Sequence, residues 1–168
     1  MTMQRERLSP TLLAELFDCE EDAYRLSVRQ AARIGWGPPA LALRAVVAHA
    51  NESLETLPGL AAERRVQLHS MGALAADTWR RVRDAAVDPF IDQEHAYRRT
   101  LTALRSGNDL VRLVRTAAAN EGDEDLEQWC ARWLETRDHL VEDVAAELAW
   151  FARHPFFARL TRLTFSPA

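Results

Sequence analysis

The fold is decided by residues 92–153, which read DQEHAYRRTLTALRSGNDLVRLVRTAAANEGDEDLEQWCARWLETRDHLVEDVAAELAWFAR. Side chains that could form a buried stripe recur there at alternating steps of three and four, the spacing of one face of an α-helix. The first stripe consists of Tyr97, Leu101, Leu104, Asn108, Val111 and Ala118, and the second of Leu126, Trp133, Arg137, Leu140, Val144, Leu148 and Phe151. The stretch therefore predicts two long helices, joined near Glu121 and Gly122.

The two predicted helices have matching registers. If the chain reverses near Gly122, residues that face each other have numbers with a constant sum. The pairs that meet this condition are Leu104 with Leu140, Leu101 with Val144, Tyr97 with Leu148, Val111 with Trp133, and Ala118 with Leu126. The sequence thus predicts an antiparallel hairpin of helices, whose register also sets Asn108 opposite Arg137.

Another long helix is predicted on the N-terminal side, from Pro10 to Ile34. Ser9 can cap the free amides of its first turn, and Pro10 fits there because its missing N–H costs nothing at that position. The glycines and prolines in 35–39 are expected to end this helix and to start the next. Its inward stripe consists of Leu13, Phe17, Glu20, Tyr24, Ser27, Ala31 and Ile34, so that Glu20 is a charged residue on the inward face.

Two further helices are predicted before the hairpin. Helix two runs from Pro39 to Leu57, where Pro58 and Gly59 are expected to end it. The segment from Leu60 to Arg65 could be a short connecting turn of helix. Helix three is expected at about Val66 to Val87. The fold class is therefore all-α: an up-down bundle of four long helices, with a shorter helix and a short C-terminal tail.

Composition limits the class of protein. A chain of 168 residues with 48% apolar residues can bury one core, so we expect a single domain, 1–168, with its core at about 10–153. The net charge of −4 argues against a nucleic-acid-binding protein. All 21 cations are arginine, which is typical of a bacterium with a GC-rich genome. No signal peptide or membrane span is predicted, and two cysteines without a CxxC motif favour the cytoplasm.

Two apolar segments suggest contact with another subunit. The first half of helix two is apolar almost all the way round, which indicates a helix buried on more than one side. The C-terminal tail carries Phe156, Phe157, Leu160, Leu163 and Phe165, which also need to be covered. We therefore expect a homodimer that forms through helix two or through the tail.

No motif specifies a metal site or a catalytic reaction. A spacing of three would place a Glu and a His on one face of a helix, where both could bind a metal. None of the five histidines follows Glu at that spacing. Asp92 lies three residues before His95, but we expect it to act as a helix cap rather than as a metal ligand. The remaining metal candidates are Glu20, His49 and His139. We expect no catalytic residue and no cofactor, with iron or another divalent metal as the alternative.

A buried polar layer is the other candidate site. Glu20, Asn108 and Arg137 each lie near the middle of a predicted helix, so they could meet at one level of the bundle. One interpretation is a set of ion pairs and hydrogen bonds that fixes the helix register. In the other, Glu20 lines a small internal pocket together with Tyr24 and His49.

The arrangement resembles the ferritin-like superfamily, in particular its uncharacterised bacterial members without a complete di-iron site. The resemblance rests on two helical hairpins with a crossover between them, on the segment 104–110 (LRSGNDL), on Gly122 and Asp123, and on the start of the last helix, LEQW at 126–129. It implies a ferritin-like bundle over about Leu12 to Phe151. A di-iron site would need further inward glutamates and two Glu-x-x-His pairs, whereas this sequence offers Glu20 alone.

Two functions remain open from the sequence. The first is a non-catalytic helical bundle that acts as an interaction or stress-related protein. The second is a degenerate ferritin-like metalloprotein that uses Glu20, His49 and a carboxylate near His139.

Overall fold

A computed structural model describes residues 8–68 and 92–158 of the chain. Four long helices are present: α1 (Ser9–Ile34), α2 (Pro38–Glu63), α3 (Gln93–Glu121) and α4 (Glu124–Ala146). Two short helices follow them, α5 (Leu148–Arg153) and α6 (Pro155–Ala158). These two ranges contain no β-strand, so the prediction of an all-helical protein is confirmed.

The direction of each helix follows from contacts at the two ends. At one end, here called the lower end, Ser9 at the start of α1 bonds Glu121 at the end of α3. At the other, the upper end, Gln30 near the end of α1 bonds the backbone of Gln93 at the start of α3. Neighbouring helices are therefore antiparallel here. The chain leaves α2 at the lower end and enters α3 at the upper end.

Two apolar clusters form the core, one towards each end. The lower cluster is built around Leu13, Leu16, Leu57, Val111, Val114 and Leu126. The upper cluster is built around Leu43, Val46, Tyr97, Leu101, Val144 and Phe151. All of these side chains are buried, so both predicted stripes of the hairpin face inward.

The turn of the hairpin is formed as predicted. Gly122 has a φ of 73°, which is the left-handed conformation that glycine adopts without strain. The next amide, that of Asp123, donates to the carbonyl oxygen of Ala118 at 2.9 Å. The Asp123 side chain then accepts from the amide of Leu126 and caps α4.

The predicted serine cap of α1 is wrong. Ser9 is the first residue of the helix, and its Oγ donates to Glu121 Oε2. The carboxylate of Glu121 accepts hydrogen bonds from the backbone amides of Leu8 and Ser9 as well. A side chain from the end of α3 therefore takes the capping role, because α1 begins beside the end of α3.

The predicted end of helix two is also wrong. The helix passes through Pro58 and continues to Glu63. Leu57 and Ala61, on either side of the proline, are buried in the lower cluster, and this packing offsets the backbone hydrogen bond that proline lacks. Leu60–Glu63 is thus part of α2 and not a separate turn.

The third predicted helix falls mostly on residues outside the described ranges. Residues 66–68, at its expected start, are described and are not helical, so the predicted beginning at Val66 is wrong. The rest of the prediction, up to residue 87, lies outside the described residues.

The last long helix is interrupted once before its predicted end. Glu147 separates α4 from α5, because α4 ends at Ala146 and α5 begins at Leu148. The helical segment still ends at Arg153, as expected, ahead of Pro155.

The remaining end-of-helix predictions have mixed outcomes. Asp92 is the residue before α3, as predicted, but its side chain forms no capping hydrogen bond. Phe156 of the C-terminal tail is exposed, whereas Leu160, Leu163 and Phe165 lie outside the described residues. No helix in the described ranges is both long enough and apolar enough to cross a lipid bilayer.

Candidate functional site

Three helices bring charged and polar side chains together in the middle of the bundle. Arg137 of α4 donates from Nη2 to Oε2 of Glu20 on α1, over 2.5 Å. It donates from Nε to Nδ1 of His49 on α2, over 3.0 Å. The side chains of Arg137 and Glu20 are each only 1% exposed. We call Glu20, His49 and Arg137 the central triad.

The central triad is surrounded by further hydrogen bonds. The guanidinium carbon of Arg137 lies 4.8 Å from the ring centre of Trp133, one helical turn earlier on α4. The Trp133 indole donates to Ser53 Oγ at 2.9 Å, and Ser53 donates to the carbonyl oxygen of His49 at 2.9 Å. These contacts pack Trp133 against the guanidinium and give the indole N–H and the Ser53 hydroxyl hydrogen-bond partners, as buried polar groups require.

Burial and the neighbouring cation decide the protonation of the triad. Burial raises the pKa of the Glu20 carboxyl. The charge of Arg137 and the hydrogen bonds that the carboxyl accepts act in the opposite direction. Burial likewise lowers the pKa of Arg137, and Glu20 counteracts the effect. Burial and the Arg137 charge together lower the pKa of His49 to about 4. His49 is therefore neutral at pH 7.

The tautomer of His49 follows from the same geometry. The Nε–H of Arg137 can only donate, so His49 Nδ1 must be the acceptor and cannot carry a proton. The single proton of the neutral ring is then on Nε2. The ring also forms part of the wall of a surface hollow of about 210 Å³ between α2 and α4, beside Trp129, Arg132 and Thr136.

The third predicted member of the polar layer lies apart from the triad. Asn108 is buried, as expected, but its amide nitrogen donates to Asp138 Oδ1 at 2.6 Å. Arg112 donates to the same oxygen at 2.7 Å. The hairpin register sets Asn108 level with Arg137, but the Arg137 side chain points towards α1 and α2. The next residue of α4, Asp138, forms the hydrogen bond with Asn108 instead. Among the described residues, no hydrogen bond joins Asn108 to Arg137.

The metal candidates do not converge on one point. Glu20 and His49 both contact the Arg137 guanidinium, which lies between them. His139 is 79% exposed on the outside of α4, where its nearest carboxylate is that of Glu142, at 3.9 Å. Among residues 8–68 and 92–158, no three His, Cys, Asp or Glu side chains are grouped so that they could hold a metal ion.

Both thiols are kept in the protonated, less reactive form, although only Cys130 is fully buried and Cys19 is half-buried. Burial raises the pKa of Cys19 to about 12, with a smaller contribution from the charge of Glu20. Burial also raises the pKa of Cys130 to about 12. A Cβ atom at Gly107 would lie 3.0 Å from Cys19 Sγ, so the glycine lets α3 approach α1 closely at this level. Both thiols thus act as packing groups, since the thiolate is the reactive form.

Several residues of the site were not anticipated from sequence. Ser53 and Asp138 give no signal in a helical pattern taken alone, and only the packing of α2 and α3 against α4 gives them partners. Trp133 was expected on the inner face and is buried there, but its cation contact with Arg137 was not foreseen. The i, i+4 spacing of Trp133 and Arg137 on one helix is the signal that could have indicated it.

Comparisons with protein-family models, with curated proteins and with solved structures found no match to this chain.

Proposed function

We propose that this protein is a non-catalytic helical protein that acts by binding a protein partner through an exposed face of α2. The observation that carries the proposal is Trp36, which lies two residues before the first residue of that helix and is 86% exposed. Large aromatic residues are costly to leave in water and are enriched at the centres of protein interfaces. This agrees with the interaction or stress-related role expected from the sequence.

The exposed face of α2 continues from this tryptophan. Leu41 is 60% exposed one turn into the helix, and Ala45 and Ala48 are exposed on the following turns. We call Trp36, Leu41, Ala45 and Ala48 the α2 face. Leu43 and Val46 of the same helix are buried in the core, which accounts for a sequence that is apolar on more than one side.

The central triad supports a structural role for the interior. A buried guanidinium bound by a carboxylate and an imidazole has little capacity left for a substrate, since Arg137 and Glu20 are both closed off from solvent. A fixed ion pair of this kind can set the register of three helices, at some cost in desolvation. Binding would then occur at the surface of the bundle.

We also propose that the bundle is ferritin-like. The support is topological: two antiparallel helical pairs are joined by one connection that starts at the lower end and finishes at the upper end, and ferritin-like bundles have one such long crossover. A cytoplasmic location is part of the same proposal, and the two free cysteines, Cys19 and Cys130, are consistent with it.

Metal binding at Glu20, His49 and His139 is the alternative function, and the geometry favours it less. The guanidinium of Arg137 would have to leave both Glu20 and His49 before a cation could bind between them. Metal analysis of the purified protein tests the alternative. Stoichiometric iron, manganese or zinc that is retained after mild chelation would favour it over the interaction protein.

Site-specific photocrosslinking tests the proposed function directly. A photoreactive amino acid replaces Leu41 in cells that naturally make the protein, and the matched control carries it at Leu113 of α3, which is 48% exposed. We expect protein adducts from position 41 and few from position 113. No adduct at position 41, or equal adducts at both positions, would contradict the proposal.

A further inference from the structure

We propose that the partner of the α2 face is a second copy of this chain, bound so that two α2 helices lie antiparallel with Ala48 at the two-fold axis. The inference rests on the proposed function, because it names the occupant of the same surface. In such a dimer Ala48 faces the partner's Ala48. Residues equally far before and after it then lie at the same level, one from each copy.

The α2 helix has the small residues that such a contact needs. At about 100° per residue, the exposed residues of α2 that lie within about 60° of Ala48 around the helix include Leu41, Arg44, Ala45, Glu52, Glu55 and Gly59. They therefore form one exposed stripe along the whole length of α2. The central positions of the stripe are alanines, which allow two helix backbones to approach closely.

One pair of charges on the stripe is complementary in this register, whereas Glu55 is level with the partner's Leu41 and accepts a hydrogen bond from Asn51 of its own helix at 2.9 Å. Arg44 lies four residues before Ala48 and Glu52 lies four residues after it, so Arg44 is level with the partner's Glu52, and the symmetry gives two such pairs. Within residues 8–68 and 92–158, neither Arg44 nor Glu52 forms an ion pair. Arg44 instead donates to the carbonyl oxygen of Gly35 and lies 5.7 Å from the centre of the Trp36 ring.

The ends of the stripe are complementary in shape. Gly59 lies inside α2, where a glycine is unfavourable. Apart from its chain neighbours and the nearby backbone of its own helix, no atom of the described residues comes within 4 Å of the position that its Cβ would occupy. The register sets Gly37 level with the partner's Gly59, and Trp36 precedes Gly37 directly. The exposed indole of Trp36 can therefore cover the backbone at the partner's Gly59, which accounts for the exposure of Trp36 and for the open space beside Gly59 among the described residues.

Charge reversal tests this register. The mass of the full-length protein is measured by sedimentation and light scattering at micromolar concentration, and we expect a dimer. Arg44→Glu and Glu52→Arg should each weaken the dimer about ten-fold or more, and the double variant should recover most of the loss, because it restores opposite charges at both pairs. Arg105→Glu, an exposed reversal on α3, is the matched control and should leave the dimer unchanged.

Two further variants test the same antiparallel register without changing any charge. Gly59→Ala should raise the thermal midpoint of the protomer, because alanine is the better helix former, and should weaken the dimer by closing the space for the partner's Trp36. Ala48→Cys should give a disulfide-linked dimer under mild oxidation, whereas Leu113→Cys should not.

The outcomes separate this inference from the proposed function. A monomer at all concentrations, or a double charge reversal that is no better than the single ones, overturns the antiparallel dimer. Adducts from position 41 to a different protein would then still support binding through the α2 face. A dimer that is indifferent to every variant of the α2 face overturns the antiparallel dimer, and the proposed function is overturned as well only if position 41 also gives no adducts.

Discussion

Arg137 Nη2 lies 2.5 Å from Glu20 Oε2, at a level of the bundle where both side chains are 1% exposed. The pair joins α4 to α1, and the bond from Arg137 Nε to His49 adds α2. Between the two apolar clusters, the guanidinium of Arg137 is thus the cation that contacts the Glu20 carboxylate and the His49 imidazole. A buried charge is tolerated only when it is paired, so each of the two residues depends on the other.

Removal of the guanidinium should destabilise the protein strongly. Arg137→Met leaves the Glu20 carboxyl buried without its cation, and breaking a buried pair in this way costs about 3–5 kcal/mol. Urea unfolding followed by circular dichroism measures the change. A loss below about 1 kcal/mol, the range of exposed ion pairs, would contradict a closed interior pair.

The double variant Glu20→Gln with Arg137→Met is the control for that experiment. It removes both charges together, so no unpaired charge remains in the core, and replacement of a whole buried pair is often neutral or stabilising. We expect it to be more stable than Arg137→Met alone. If the losses from Glu20→Gln and Arg137→Met simply add, the two side chains do not interact as the geometry indicates.

The stability of the protein should fall on acidification because of His49. Its pKa falls from 6.5 in the unfolded chain to about 4 in the folded state, so between these values the unfolded state binds more protons. The contribution is complete above pH 6.5 and is lost as the pH falls towards 4. Since the ring is partly exposed, we expect only about 1–2 kcal/mol in total after allowance for solvent.

The matched variant for this prediction is His49→Gln. Glutamine can still accept from Arg137 Nε through its side-chain oxygen, but it does not titrate in this range. The free energy of unfolding of both proteins is measured between pH 7.5 and 4.5. We expect a steeper decrease for the protein with histidine, and parallel pH profiles would show that His49 does not carry the effect.

The sequence predicted the helices better than their ends. Periodicity fixed the inward faces of α1, α3 and α4, because a core-facing stripe is a property of one helix alone. Glu20 and Arg137 stood out for the same reason, as charged residues on apolar stripes. The end of α2 was misplaced because Pro58 is normally a breaker, and only the burial of Leu57 and Ala61 shows why the helix continues.

Contacts between side chains of different helices could not be predicted in this way. The constant sum of residue numbers set Asn108 level with Arg137, but it gives only the position of each residue along its helix. It does not give the direction in which a side chain points. The rotation of α4 directs Asp138 towards Asn108 and Arg137 towards Glu20. Arg137 and Asp138 are adjacent in α4, but they thus belong to two separate hydrogen-bond networks.

A clamp at the lower end gives a third prediction. Arg64, just after α2, donates from Nε and Nη2 to both carboxylate oxygens of Asp123, each over 2.7 Å. The same carboxylate caps α4 through the amide of Leu126. Asp123→Asn retains a capping oxygen but weakens the ion pair, and should cost about 1 kcal/mol. Asp123→Ala loses both, and should cost about 2 kcal/mol.

Urea unfolding of the two variants tests the clamp, with Asp125→Asn as the control. Asp125 is exposed in the same first turn of α4, so it shares the favourable position near the helix N-terminus but forms no bond to Arg64. We expect a smaller loss for the control than for either change at Asp123. Equal losses at the two positions would assign the effect to the helix dipole alone.

The start of α1 should depend on a residue that lies over a hundred positions away in the chain. The Glu121 carboxylate accepts from the amides of Leu8 and Ser9 and from the Ser9 hydroxyl, so it caps α1 from the end of α3. Glu121→Ala removes all three bonds and should cost about 1–2 kcal/mol, the range for loss of a helix cap. Hydrogen exchange should quicken most at the first amides of α1. Glu124→Ala, an exposed carboxylate just beyond the turn, is the matched control, and if it loosens α1 equally, the cap does not hold this helix in place.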